Sequence, residues 1–189
     1  MNHTKSIYYP PGGILIWIII YLELITFGMA ILALAYYGSE ERELFHSSSL
    51  KLNKTIGTIN TILLLTSGFF VAKGIHFFKA VNIKKTLFYF NWAMLGGLGF
   101  LVLKSFEYYE KLEAGLHMDY NSFFRFYWLL TGFHFIHVLV GLVILLVITF
   151  SIKKKQTKAS FEDIEASASF WHMCDLIWLL LFPVLYLLF

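Results

Sequence analysis

Residues 124–152 read FRFYWLLTGFHFIHVLVGLVILLVITFSI, an apolar run with one charge, Arg125, near its start. A helix needs about 20 mostly apolar residues to cross a hydrocarbon core of about 30 Å, and this run is ample. It carries no alternation of period two, so it reads as a helix rather than a barrel strand. Four more stretches of the same kind lie at 13–36, 56–78, 87–106 and 169–189. The expected fold is therefore all-α: a polytopic membrane bundle of five helices forming one domain over 1–189.

Composition agrees with that reading. The chain of 189 residues is 58% hydrophobic, 19% aromatic and only 14% charged, with a mean hydropathy of +0.68. Soluble domains are about 45–50% apolar and about 25% charged. These values exclude a secreted disulfide scaffold, a disordered chain and a soluble nucleotide-binding enzyme. Cys174 is the lone cysteine, so no internal disulfide forms. A net charge of +3 is too small to point to nucleic acid. The first apolar run is too long for a secretory leader and reads as a retained span.

Charge distribution gives an expected orientation. Lys5, Lys79, Lys84, Lys85, Lys153, Lys154, Lys155 and Lys158, eight of the 15 basic residues, fall on the N-terminal side of the membrane. Arg42, Lys51, Lys54, Lys111 and Arg125 on the other side mix with Glu40, Glu41, Glu43, Glu107, Glu110, Glu113 and Asp119. The positive-inside rule then predicts a cytoplasmic N-terminus and an external C-terminus.

Each ionisable residue within a span needs an explanation, because an unpaired one costs several kcal/mol. Glu23 falls near the middle of the first span, without an evident partner in the sequence. It reads either as a proton-relay, substrate or inter-subunit site or as a protonated carboxyl hydrogen-bonded to a neighbouring helix. His134 and His137 are one turn apart on the fourth span, and Gly141 continues their stripe. On the fifth, Trp171, Asp175 and Trp178 share a face, with His172 one turn before Asp175. Counting helix rise from opposite surfaces places His137 and Asp175 at the same depth. The expectation is that His137 or His172 meets Asp175 in a cluster between spans four and five, with Gly132 and Gly141 allowing close approach.

The histidines are also possible haem or metal ligands. His3, His46 and His117 lie outside the spans, however, leaving few inward donors. Buried structural or proton-linked roles are the preferred reading. Lys73 and Lys104 are expected to snorkel from span ends. Gly96 and Gly97 mark close helix packing rather than a phosphate loop. No nucleophile triad, paired catalytic carboxylates or nucleotide motif appears, so no catalytic residue is assigned.

Two dense motifs carry a family likeness. Thr131-Gly132-Phe133-His134-Phe135-Ile136-His137-Val138 resembles the Thr-Gly-Phe-His-x-x-His-Val segment of haem-copper oxidase subunit III. Trp171-His172-Met173-Cys174-Asp175-Leu176-Ile177-Trp178 resembles that family's Trp-His-x-x-Asp-x-x-Trp signature. Glu23 matches its buried membrane glutamate, and Asn60-Thr61 and Phe106-Glu107-Tyr108-Tyr109-Glu110 match its intervening helices. The chain is similar to the five-helix form of the family, as in quinol oxidase subunit III and proteins associated with nitric oxide reductase.

The resemblance implies a cofactor-free subunit of a bacterial respiratory oxidase in the cytoplasmic membrane. Catalytic subunit I would be its partner and would carry the haem and copper. The subunit's expected contribution is stability, phospholipid binding and support of proton uptake. Alternatives are an accessory subunit of a nitric oxide reductase and a haem- or metal-binding membrane enzyme.

Overall fold

A computed structural model of the chain describes residues 10–154 and 160–189. Lys5, Lys155 and Lys158 of the charge argument, and His3, lie outside the described residues. The described residues form six helices and no strand: α1 (Ile14–Glu40), α2 (Arg42–Ser49), α3 (Lys54–Lys79), α4 (Ile83–Glu113), α5 (Ser122–Lys153) and α6 (Phe161–Tyr186). All but α2 are long and apolar enough to cross a membrane.

Local chemistry sets the helix starts. Asn53 Oδ1 accepts from the backbone N–H groups of Thr55 and Ile56, Asn82 from Lys85, and Asn121 from Phe124. Each side chain satisfies an amide that has no partner within its helix. Ser160 and Asp163 form a reciprocal capping box that starts α6 at Phe161. The last span therefore begins eight residues before its expected start at 169, bringing Glu162, Asp163 and Glu165 into the helix beside the lysines of that end.

Two helix ends share a geometry but not a residue type. After α4, Gly115 (φ 71) takes the left-handed position, with Gly115 N–H bonded to Leu112 O and Leu116 N–H to Lys111 O. After α3, Val81 (φ 56) takes the same position, with Val81 N–H on Phe78 O and Asn82 N–H on Phe77 O. Both are Schellman closures, and Val81 stands where glycine is usual.

The short helix α2 was not expected. Its sequence is polar, but it buries Phe45 edge-on against Phe123 and Phe189 at 5.5 and 5.2 Å. It thereby closes the end of the bundle where α1, α5 and the C-terminal segment meet. At the opposite end, the Lys79 ammonium lies 3.5 Å from Glu165, and Phe78 stacks on Phe161 at 6.2 Å. These contacts tie the end of α3 to the start of α6.

Helix α6 is the most buried of the five spans. It packs against α1, α3 and α5, while α4 packs on α3 and α5. Trp171 explains part of this closeness, because its ring fills the space left by two glycines. A Cβ at Gly97 would stand 2.5 Å from Trp171 Cη2, and one at Gly141 would stand 3.0 Å from Cε3. Gly96 sits against Ser67 and the Leu63 carbonyl of α3, where Ser67 Oγ also donates to Ala93 O at 2.7 Å. Gly132 departs from expectation. No heavy atom comes within 4 Å of a Cβ built there, so it opens on the outer surface and mediates no helix contact.

The outward faces are apolar. Leu15 and Leu32 of α1 are 72% and 71% exposed, and Val143 and Val147 of α5 are also exposed. Such broad apolar surface on a folded chain suits hydrocarbon rather than water. This is a multi-pass membrane protein.

Candidate functional site

Two buried polar centres occupy the bundle. In the first, His137 Nε2 of α5 lies 3.3 Å from Glu23 Oε2 of α1, both side chains mostly buried. Oε2 makes no aligned hydrogen bond. The opposite ring nitrogen, Nδ1, is 2.8 Å from the Phe133 carbonyl oxygen. A carbonyl only accepts, so Nδ1 carries a hydrogen. A neutral His137 then turns a bare Nε2 lone pair toward the glutamate. The approach is favourable only with one proton between them, on the glutamic acid or on an imidazolium. The sequence suggested that Glu23 lacked a partner; the fold supplies one from a helix far along the chain.

Asp175 meets His172, not His137. His172 Nδ1 is 3.4 Å from Asp175 Oδ2, one turn apart on α6. Of the two expected partners His172 is the one that meets Asp175, and because both sit on α6 the contact does not join spans four and five. His137 lies between the α5–α6 contacts of His134 with Trp178 and Gly141 with Trp171, but the rotation of α5 turns it toward α1. Across the interface, Asp175 presses on Gly68 of α3, where any Cβ would collide with the carboxylate. Asp175 Oδ1 is buried without a hydrogen bond, while His172 is half exposed at the bundle surface.

His134 takes a different environment from His137, one turn away. It is fully buried, stacked on Trp178 at 5.3 Å and edge-on to Phe100 and Phe27 at 5.7 and 6.4 Å. Neither of its nitrogens has a hydrogen-bond partner. The indole N–H of Trp178 donates to Thr61 Oγ1 at 2.9 Å. Both amide atoms of buried Asn60 are also without partners.

The second centre was missed from the sequence. Lys104 does not snorkel: its side chain and that of Glu107 are both 0% exposed, with Nζ–Oε2 at 3.0 Å. Lys104 Nζ also donates to the hydroxyls of Tyr127 and Tyr186 at 3.2 and 2.8 Å. Those hydroxyls donate to Glu107 Oε1 at 3.0 and 2.6 Å. All three ammonium donors and both carboxylate oxygens are thus used. The rings of Tyr127, Tyr108, Trp178 and Tyr186 surround the ammonium at 4.7 to 5.4 Å. Lys111, also placed outside by the sequence reading, is buried and caps Lys51 O at 2.8 Å. The missed signal was Lys104 and Glu107 at i, i+3 inside an apolar helix. Lys73 is exposed, as expected, with its ammonium 5.6 Å from the Phe69 ring.

The Lys104 centre braces the bundle internally, and the Glu23–His137 pair brings a carboxyl and an imidazole together between α1 and α5. Among the described residues, no three His, Cys, Asp or Glu side chains converge as a metal site. His134 is walled by rings, and His137 and His172 face different helices.

The family model for cytochrome c oxidase subunit III matches residues 51–188. The chain belongs to the cytochrome c oxidase subunit III family. It is 30% identical, over 98% of its length, to cytochrome c oxidase subunit 3 of Schizophyllum commune, covering 70% of that protein. It is 33% identical over 69% of its length to the Rhipicephalus sanguineus protein of the same name, of which it covers 50%. It is 27% identical over 91% of its length to cytochrome bo(3) ubiquinol oxidase subunit 3 of Buchnera aphidicola, covering 84% of it. The chain thus spans about half the length of several relatives it matches. The subunit III match includes His134, His137, His172, Asp175 and the whole Lys104 cage, whereas Glu23 precedes it.

Proposed function

We propose that this chain is the subunit III component of a bacterial respiratory haem-copper terminal oxidase. It would lie in the cytoplasmic membrane with its N-terminus inside and bind catalytic subunit I. Family membership is the observation that carries this reading. A further support is a 29% identity, over 90% of this chain, to a protein of Aeropyrum pernix named heme-copper oxidase subunit I+III, of which the match covers 22%. In that protein one name joins the two subunits, as expected if they assemble side by side.

The proposed contribution is indirect. The haem and copper belong to the partner, and this chain holds no cofactor of its own. The dispersed positions of its histidines support that. The Lys104 cage and the Trp171 seat brace the bundle, and the Glu23–His137 pair holds one proton within the membrane. Such a pair supports proton uptake by taking or releasing that proton at Glu23 Oε or His137 Nε2. The lysine-rich end of the bundle supports the orientation, through Lys79, Lys84, Lys85, Lys153 and Lys154 among the described residues.

Affinity isolation of the tagged chain from its native membrane tests this. Co-isolation with a haem-copper oxidase subunit I is the expected result. Recovery with a nitric oxide reductase instead, or a Soret band from the isolated chain, would overturn it.

A further inference from the structure

Helix α6 reaches the bundle surface along one seam. Trp171 and Trp178 turn toward α5, where they meet Gly141 and His134. Asp175 and Phe182 press on Gly68 and Gly57 of α3, and Ala166 lies against Gly12 just before α1. From Ser169 to Tyr186 the exposed positions are His172, Leu176, Leu179 and Pro183, with Leu180 beside them. Steps of four, three and four residues keep these on one face, the spacing with which one helix receives another. The seam opens between α1 and α3, which both pack on α6.

Two polar groups mark the seam. His172 turns Nδ1 inward to Asp175 Oδ2 at 3.4 Å, and its side chain is 45% exposed. Nε2, on the opposite side of the ring, makes no hydrogen bond among the described residues. A net-neutral pair is the form that hydrocarbon favours: a carboxylic acid donating to Nδ1, or a carboxylate accepting from an imidazolium. Both forms leave a hydrogen on Nε2, so the group facing out is a donor. It stands about 17 Å along α6 from Phe161, by the rise per residue, near mid-membrane.

The second group is an acceptor. Pro183 lies inside α6 and has no N–H, so the Leu179 carbonyl loses its usual helical donor. Leu179 is one heptad beyond His172, about 10 Å along the seam. Hydrocarbon offers neither a hydrogen nor a lone pair, and each polar group left unmet there is costly. Phospholipid headgroups, about 15 Å from the midplane, are out of reach of His172.

We propose that this seam is the docking site for one transmembrane helix of another chain. That helix presents a hydrogen-bond acceptor, a carboxamide or hydroxyl oxygen, to His172 Nε2. About two turns away it presents a donor to the Leu179 carbonyl, and apolar side chains between the two pack on Leu176. Polar complementarity at that depth selects a helix over lipid as the occupant. It also excludes a second copy of this chain in a parallel two-fold dimer, where the His172 donors would face each other. The inference rests on the membrane reading. It goes beyond the proposed binding of subunit I by assigning a surface and a side-chain pattern, whichever chain supplies the helix.

Photocrosslinking of the full chain in its native membrane tests the seam. A benzophenone side chain at position 176 is expected to label a polypeptide, within a membrane-crossing segment that carries an acceptor and a donor side chain about seven residues apart. H172L should lower the yield about fivefold, the loss of one interhelical hydrogen bond. H172Q keeps a donor and should recover most of it, which separates a lost bond from a damaged fold. P183A returns an N–H to the Leu179 carbonyl and should lower the yield by a similar factor. Labelling of lipid or of a second copy of this chain, a labelled segment without the acceptor, or wild-type yield in both H172L and P183A would each overturn the proposal. The labelled chain need not be subunit I, so this result and co-isolation with an oxidase succeed or fail separately.

Discussion

His137 donates its Nδ1 hydrogen to the Phe133 carbonyl and faces Glu23 Oε2 with Nε2 at 3.3 Å, an approach that is favourable when one proton lies between the two side chains. Glu23→Gln retains a donor for Nε2 but removes the carboxyl. Assembly should be retained, while turnover or durability of the oxidase complex changes. Infrared difference spectra should lose a carboxyl band with the variant. Wild-type turnover and durability would remove Glu23 from the functional residues.

Removing the other partner has a structural cost. His137→Ala leaves the Glu23 carboxyl facing an empty space and should destabilise the chain by about 1–3 kcal/mol. Unfolding in detergent micelles measures this, and His137→Gln should recover part of the loss.

The Lys104 cage predicts strong non-additivity. Lys104→Met strands Glu107, and Glu107→Leu strands Lys104; each should cost about 3–5 kcal/mol. The double variant should be less destabilised than either single one, since neither charge is then left unpaired. A double-mutant cycle followed by thermal unfolding checks this, and additive losses would refute the interdependence.

Two glycines on neighbouring helices should respond oppositely to the same change. Gly97→Ala forces a methyl into Trp171 and should cost about 1–3 kcal/mol. Gly132→Ala meets no neighbour within 4 Å and should be neutral, or stabilising by up to about 1 kcal/mol from helix propensity. Melting temperatures of the two variants provide the comparison.

Val81 sits in the left-handed position that Gly115 fills at the next helix end. Val81→Gly should relieve about 1 kcal/mol of backbone strain and raise the melting temperature. A fall would mean that the Val81 side chain contributes more than its backbone costs.

The five spans were legible because hydropathy is summed over long windows, and their number survives small errors at the ends. Helix ends were harder to read. The Ser160 capping box extends α6 into polar sequence, and α4 runs beyond residue 106 to Glu113 through the buried Glu107 and Lys111. Position along each helix was readable from the rise per residue. Partners were not, because they depend on how each helix is rotated about its axis. That rotation sends His137 to Glu23 and turns Lys104 inward among Tyr127, Tyr186 and Glu107. Phe45 was hidden for another reason: α2 is too short for its polar sequence to show which residue it buries.

Helix α1 turns much of its surface outward, and its polar link to α5 is Glu23 against His137. Loss of the shared proton would leave a carboxylate facing a bare nitrogen, and attraction across that link would become repulsion. On the proposed reading the pair would latch α1 as well as hold a proton, and the seating of an entire helix would be coupled to the position of a single hydrogen.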